Sequence, residues 1–262
     1  MLGRVVGYDP DASAIAAAVR KGVIDEVAAS PEEVVRDASL VLLAAPVASL
    51  RSLFARVAPA IGPDATVIDV GSVKTEMVAT AAIEFPRGQF VACHPMAGAE
   101  FSGVESADAD IFPGRVCFVC SPSNARHACV VAARDFWSGI GCHVADIDPE
   151  VHDRVMAAQS HLPHVAAFAL AAALAPDLPF LESHGTEASP TTSLRDTTRI
   201  AASGPAVWRD ILLANANHLL PLVERLQGRV DEFRRAVADG DGQALERILT
   251  AGQTCRKRLV KE

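Results

Sequence analysis

The chain has little that would tie it to a nucleic acid, a membrane or an oxidising compartment. No Lys/Arg-rich run stands out in its 262 residues, and the formal net charge is −8. Neither nucleic acid nor an anionic membrane is therefore an expected partner. No N-terminal segment joins basic, apolar and cleavage regions as a signal peptide does. The longest apolar run, Val165 to Ala175, is far short of a membrane span. Without an export signal, the six cysteines read as thiols of a cytoplasmic protein rather than a disulfide frame. Cys117 and Cys120 form a lone CxxC that on a strand would point to opposite faces. No second Cys/His pair stands at metal spacing, so the two read as core cysteines and no metal is expected. Internal repeats and low-complexity tracts are also lacking. Half of the residues are apolar, a globular composition with enough chain for two domains.

Up to about residue 148 the sequence alternates between two textures. Short apolar runs read as strands: "RVVGY" from Arg4, then 40–46, 66–70, 89–95, 115–122 and 142–148. Ala-rich stretches of helical period lie between them: Ala12–Arg20, Ala48–Ala58, Lys74–Ala82 and Asn124–Trp137. This is the pattern of an α/β domain, a parallel sheet with helices on both faces. From Val151 onward no convincing strand remains. Helices are expected over Val151–Ala175, Ala206–Gly228, Val230–Asp239 and Gly242–Lys257, with a loop over 182–196. The expected division is a sheet domain over 1–148 and a helical domain over 149–262.

Five places could carry chemistry. The first strand closes on Asp9, where a dinucleotide-binding fold puts the acid that grips ribose hydroxyls. "DVGSVK" (69–74) follows a strand, and ligands of open α/β sheets bind beyond the carboxyl ends of strands. There Gly71 allows a tight turn and Ser72 offers a hydroxyl. "ACHPMAGAEFSGVESADADIFPGR" (92–115) puts His94 at the end of another strand and Glu100 in the long stretch beyond. In "QSHLPHVAAFAL" (159–170), Ser160 and His164 share a helix face, and Pro163 argues for a local irregularity where a polar pocket could form. "SLRDTTRIAASGPAVWRDI" (193–211) gathers Arg195, Asp196, Arg199, Trp208 and Arg209, the best candidate for a carboxylate clamp. Each also has an ordinary structural reading: a strand–turn–helix junction, a hydrogen-bonding histidine, a solvated ion-pair cluster.

Taken together and in this order, "DVGSVK", "HPMAGAEFSGVESADADIFPGR", "SHLPH" and "RDTTRIAASGPAVWRD" resemble the prephenate/arogenate dehydrogenase family of tyrosine biosynthesis. The resemblance runs through essentially the whole chain. It implies a Rossmann-like nucleotide domain followed by an all-helical dimerisation domain, a homodimer, and NAD as cofactor. The implied reaction is oxidative decarboxylation of prephenate, or of arogenate in some members. By residue-by-residue carry-over, His94 takes the hydroxyl proton and Ser72 hydrogen-bonds near His94 and the nicotinamide. Arg199 holds the ring carboxylate, with Glu100 pairing to it at the mouth. Ser160 and His164 line the substrate pocket, and Asp196 and Trp208 belong to the adjoining wall, Trp208 serving the partner subunit. The chemistry agrees: a placed Arg offsets carboxylate desolvation, and a neutral His is a natural base near pH 7. Asp9 favours NAD over NADP, because it would repel a 2′-phosphate.

The sequence departs from the family in three ways. The family's first strand and GxGxxG-type turn, which bind the pyrophosphate, do not precede Asp9. The chain as written is accordingly expected to bind NAD weakly or not at all. The run "TEASPTTSL" stands where the family has glycines and a Phe, with Leu194 in the Phe place. No regulatory domain follows the helices. Two rivals stand beside the enzyme reading: a hydroxyacid or imine reductase of the same architecture, and a truncated inactive paralogue acting only as a helical dimer.

Overall fold

The computed structural model describes residues 3–98, 103–185 and 190–260. Glu100 lies outside the described residues. The chain divides into two compact units, Met1–Ala216 and Asn217–Glu262.

The first unit opens with a parallel pair of two-residue strands, β1 (Val6–Gly7) and β2 (Glu26–Val27), joined through helix α1 (Ala12–Arg20). Asp11 caps α1 by accepting from the Ser13 N–H. Gly7 has no room for a side chain, since a Cβ there would meet Ile24 at 2.8 Å. Helix α2 (Pro31–Val34) leads into a five-stranded sheet: β3 (Leu40–Leu43), β4 (Thr66–Asp69), β5 (Phe90–Pro95), β6 (Val116–Cys120) and β7 (His143–Asp146), in that order. Helices α3 (Val47–Val57), α4 (Thr75–Glu84) and α5 (His127–Gly139) connect them.

The pairs β3–β4, β4–β5 and β6–β7 are parallel, while β5–β6 is antiparallel. The expected single sheet is thus two: among the described residues no strand joins β1 to β3. Apolar side chains of the five strands bury into two clusters. Phe54, Phe85 and Phe90 mark one, and Trp137, Ile68 and Val91 the other. Cys120 joins the first and Cys117 the second, the opposite faces that their spacing on a strand requires. All six cysteines are free, and only Cys255 is exposed.

The expected helix over Val151–Ala175 is three pieces: α6 (Pro149–Met156), a π-helical turn (Ala157–His161) and α7 (Leu162–Ala173). Asp148 caps α6 by accepting from the Glu150 and Val151 N–H groups. The π turn comes two residues before Pro163, whose missing N–H and ring disturb the helical ladder. Helices α8 (Leu178–Ser183), α9 (Thr192–Thr198) and α10 (Pro205–Ala214) follow. Part of the expected loop over 182–196 is therefore helical. The run Pro149–Ser183 is long and apolar enough, by length and composition alone, to cross a membrane. Its first turns, however, are hydrogen-bonded into the sheet's carboxyl edge.

The second unit holds α12 (Gly242–Leu259) and all but the first residue of α11 (Ala216–Ala238). The sequence suggested a break near Gly228, but α11 runs through it, because one helical glycine costs only about 1 kcal/mol. The break falls at Asn215 instead, whose side chain is engaged elsewhere.

Candidate active site

The carboxyl ends of β4 and β5 carry a buried polar network. Asp69 closes β4. Its Oδ1 accepts from the Cys93 N–H, and its Oδ2 from the Gly71 N–H and the Lys74 ammonium. Lys74 is fully buried and donates also to the Cys93 carbonyl at 2.8 Å. The turn Gly71–Lys74 is thereby fastened to the end of β5 just before His94. Gly71 is required here, since a Cβ would lie 2.9 Å from the Asp69 carboxylate.

A second acid reaches the same place from α6. Helix α4 has no side-chain cap of its own. Asp153 supplies one across 79 residues of sequence: Oδ1 accepts from the Lys74 N–H and Oδ2 from the Thr75 N–H, each at 2.8 Å. Burial pushes Asp153 up, but hydrogen bonds from His152, Thr75 and Lys74 hold it below the usual carboxylate range. His152, fully buried, bonds Asp153 through Nδ1 at 2.8 Å and His94 through Nε2 at 2.8 Å. Burial, then Lys74 and His152, hold His94 well below the ordinary histidine value, so its ring is neutral near pH 7.

Asn215, at the end of α10, donates to the Asp153 carbonyl at 2.8 Å and contacts His161 Nδ1 at 3.0 Å. Burial holds His161 at about 4, which makes it a neutral acceptor for the Asn215 amide. The His161 ring meets Trp208 edge-on at 6.0 Å between centroids. Trp208 stacks on His164 at 3.5 Å. His164 donates through Nδ1 to the Ser160 main-chain carbonyl at 2.8 Å, one turn back along the helix. Burial first, and Arg199 nearby, lower His164 below its ordinary value.

Several expected site residues therefore gather in the first unit: His94 with the polar network, and Ser160, His164 and Trp208 in one cluster that Arg199 approaches. Trp208 meets His164 of its own chain. Asp196 is exposed on α9. Asp9 is exposed beyond β1, with Oδ1 accepting from the Asp11 N–H. The His94 Nδ1 partner is His152, and among the described residues no hydrogen bond joins Ser72 to His94. Ser72 instead lines a cavity of about 100 Å³ with Pro46, Val70, Gly71, Val207 and Ile211. Sequence reasoning missed His152, Asp153 and Asn215. The available signal was "HD" one turn after the Asp148–Pro149 helix start, adjacent ionisable residues that the helical period alone would turn inward.

The prephenate dehydrogenase nucleotide-binding domain matches residues 2–146, and the prephenate dehydrogenase dimerization domain matches residues 148–251. The chain belongs to the prephenate dehydrogenase family. The cyclohexadienyl dehydrogenase of Zymomonas mobilis is 32% identical over 243 residues, covering 90% of this chain and 80% of that protein. The prephenate dehydrogenase of Bacillus subtilis is 31% identical over 264 residues, 98% of this chain and 69% of that protein. A crystal structure of prephenate dehydrogenase from Aquifex aeolicus with hydroxyphenyl propionate and NAD+ superposes with a TM-score of 0.85 at 29% identity. It covers 99% of this chain and 90% of that one.

The residues present fit a nicotinamide cofactor. The Ser72 cavity lies beyond the carboxyl ends of β3 and β4, where nucleotides bind in open α/β sheets, and its walls are mainly apolar, with the Ser72 hydroxyl and Asp210 as the polar side chains. Among the described residues no three His, Cys, Asp or Glu side chains cluster as metal ligands.

Proposed function

We propose that this chain is an NAD-dependent prephenate dehydrogenase, converting prephenate to 4-hydroxyphenylpyruvate in tyrosine biosynthesis. The observation that carries the reading is His94: a neutral histidine at the end of β5, held by a hydrogen bond to the buried His152 at the sheet's carboxyl edge. NAD, when bound, accepts the hydride from the ring carbon that bears the hydroxyl. His94 takes the proton of that hydroxyl. Arg199 meets the ring carboxylate with its planar fork. Ser160, His164, Asp196 and Trp208 form the substrate wall. Ser72 faces the nicotinamide, and Asp9 receives the ribose hydroxyls, which favours NAD over NADP. In function the domains divide at residue 148, with 149–262 serving substrate and a homodimer. A cytoplasmic setting suits the six free thiols. No nucleic acid or membrane enters the reading.

Arogenate is the second substrate reading, and His164 favours it. Its Nδ1 donates to Ser160, so the neutral ring offers Nε2 as an acceptor, which suits an ammonium better than a keto oxygen.

His94→Asn tests the assignment, because Asn can still donate to His152 but cannot take up a proton. Turnover of prephenate with NAD should fall by about 10²- to 10⁴-fold, with the dimer intact by sedimentation. Full activity in that variant refutes the base. Side-by-side kcat/KM values for prephenate and arogenate decide the substrate.

A further inference from the structure

The network around His94 has a direction. Asp153 accepts three hydrogen bonds, from the Lys74 and Thr75 N–H groups and from His152 Nδ1. Two of the donors form the first turn of α4, whose positive end favours an ionised acid there. An ionised Asp153 can only accept, so the proton between it and His152 belongs to His152 Nδ1. In the tautomer so fixed, the other His152 nitrogen, Nε2, is bare, and it lies 2.8 Å from His94 Nδ1. One hydrogen must fill that gap, and it belongs to His94. The other His94 nitrogen, Nε2, is left with its lone pair. His94 is only partly buried, whereas His152 is fully enclosed, and Phe118 covers it edge-on with centroids 5.7 Å apart. His152 cannot itself reach a substrate.

We infer that His152, anchored by Asp153, is a positioning residue that selects the His94 tautomer in which Nε2 accepts the substrate's proton. This rests on the prephenate dehydrogenase reading for its chemistry, but the tautomer assignment stands on geometry. The step balances in protons. The substrate O–H bond breaks and a bond from that hydrogen to His94 Nε2 forms, while the hydride leaves separately to the nicotinamide. The resulting imidazolium keeps its Nδ1–H directed at His152 Nε2. Transfer of that proton would break the His94 Nδ1–H bond, form a His152 Nε2–H bond and leave the cation against the Asp153 carboxylate. Without an acceptor at this position, His94 could adopt the opposite tautomer, with Nε2–H facing the substrate and no base available. Lys74 and His161 are the other titratable groups acting on His94, and each opposes a charge on its ring.

Two measurements test this. The first is nitrogen NMR of the full chain carrying 15N-labelled histidine, assigned with the His94→Asn and His152→Gln variants. The expected spectrum has both His94 and His152 protonated at Nδ1 and bare at Nε2. His94 protonated at Nε2 overturns the inference whatever the activity. The second is steady-state kinetics with NAD and prephenate. His152→Phe removes the acceptor, so kcat should fall by about 10²-fold with KM for prephenate within about threefold. In His152→Gln the side-chain oxygen can still accept from His94 Nδ1, and kcat should return to within about tenfold of the parent. Equal losses in the two variants, or a Phe variant within about threefold of the parent, overturn the inference. If the Phe variant does not fold, the Gln variant and the spectrum decide. If the unmodified chain turns over no prephenate while the spectrum is as expected, the functional reading fails and the tautomer selection stands.

Discussion

Two parts of the first compact unit hold the polar groups a substrate would meet, and they are built in opposite ways. Around His94, every group is engaged: Asp69, Lys74, His152, Asp153 and Asn215 are buried and joined by hydrogen bonds reaching across as many as 79 residues. Over 191–202 the charged side chains sit on a seven-residue helix and a 3-10 turn. Asp196 and Arg199 are exposed there, and the capping bond is local. The first arrangement suits proton transfer, where a fixed tautomer and distance matter. The second suits recognition of a carboxylate that must enter and leave. The buried acids tie the sheet's edge, whereas Asp196 and Arg199 face solvent, so perturbing each should give different kinds of loss.

The largest effect is expected from Lys74→Met. It leaves the Asp69 carboxylate buried with two backbone donors but no countercharge. Breaking a buried pair on one side costs about 3–5 kcal/mol. Urea unfolding should show a loss of that size. A loss below about 1 kcal/mol would mean that the network is not held by this pair.

The buried side should also respond to acid. His161 takes its proton near pH 6.5 when unfolded and only at about 4 when folded. Between those values the unfolded chain binds more protons. Its contribution is therefore whole above pH 6.5 and drains as pH falls toward 4, by about 3 kcal/mol in total. In His161→Asn the side-chain oxygen can replace Nδ1 as acceptor for Asn215, and this part of the pH dependence should vanish from urea midpoints measured between pH 7.5 and 4.5. Parallel curves for the variant and the parent would rule out His161 as the source.

On the exposed side, Arg199→Lys should leave stability unchanged. A Lys keeps the charge but loses the two-pronged geometry. KM for prephenate should rise by about tenfold, with kcat nearly constant. A fall in kcat at constant KM would move Arg199 from binding to chemistry.

The same contrast explains how much could be read from the sequence. The strands of the five-stranded sheet were legible because Val-, Ile- and Leu-rich runs state their own burial, and α1 because an Ala-rich run of helical period follows Asp11. His94 was legible because the end of a strand is visible in the text. Its partner was not: His152 lies 58 residues away, and no local pattern pairs two histidines. The cap of α4 by Asp153 was hidden for the same reason, since the acid is on another helix. Pro163 did announce an irregularity, and the π turn is there. The resemblance put Ser72 near His94, and the fold adds that His94 Nδ1 is already engaged by His152.

The smallest expected effect tests the exposed region by its own cap. Thr191 Oγ1 accepts from the Leu194 N–H at 3.3 Å, at the long end for such a bond, and the bond is solvent-exposed. Capping Thr to Ala changes typically weaken a helix by about 1 kcal/mol, and a long, solvated bond belongs at the low end. Thr191→Ala should therefore shift the urea midpoint by an amount equivalent to about 0.5 kcal/mol or less. Because α9 carries Asp196 and ends beside Arg199, fraying its first turn should still raise KM for prephenate, by about twofold, without touching kcat. If the variant instead lowers kcat as a His94-side change would, the two regions are one cooperative structure, and the division between a rigid proton-transfer edge and a compliant recognition wall is wrong.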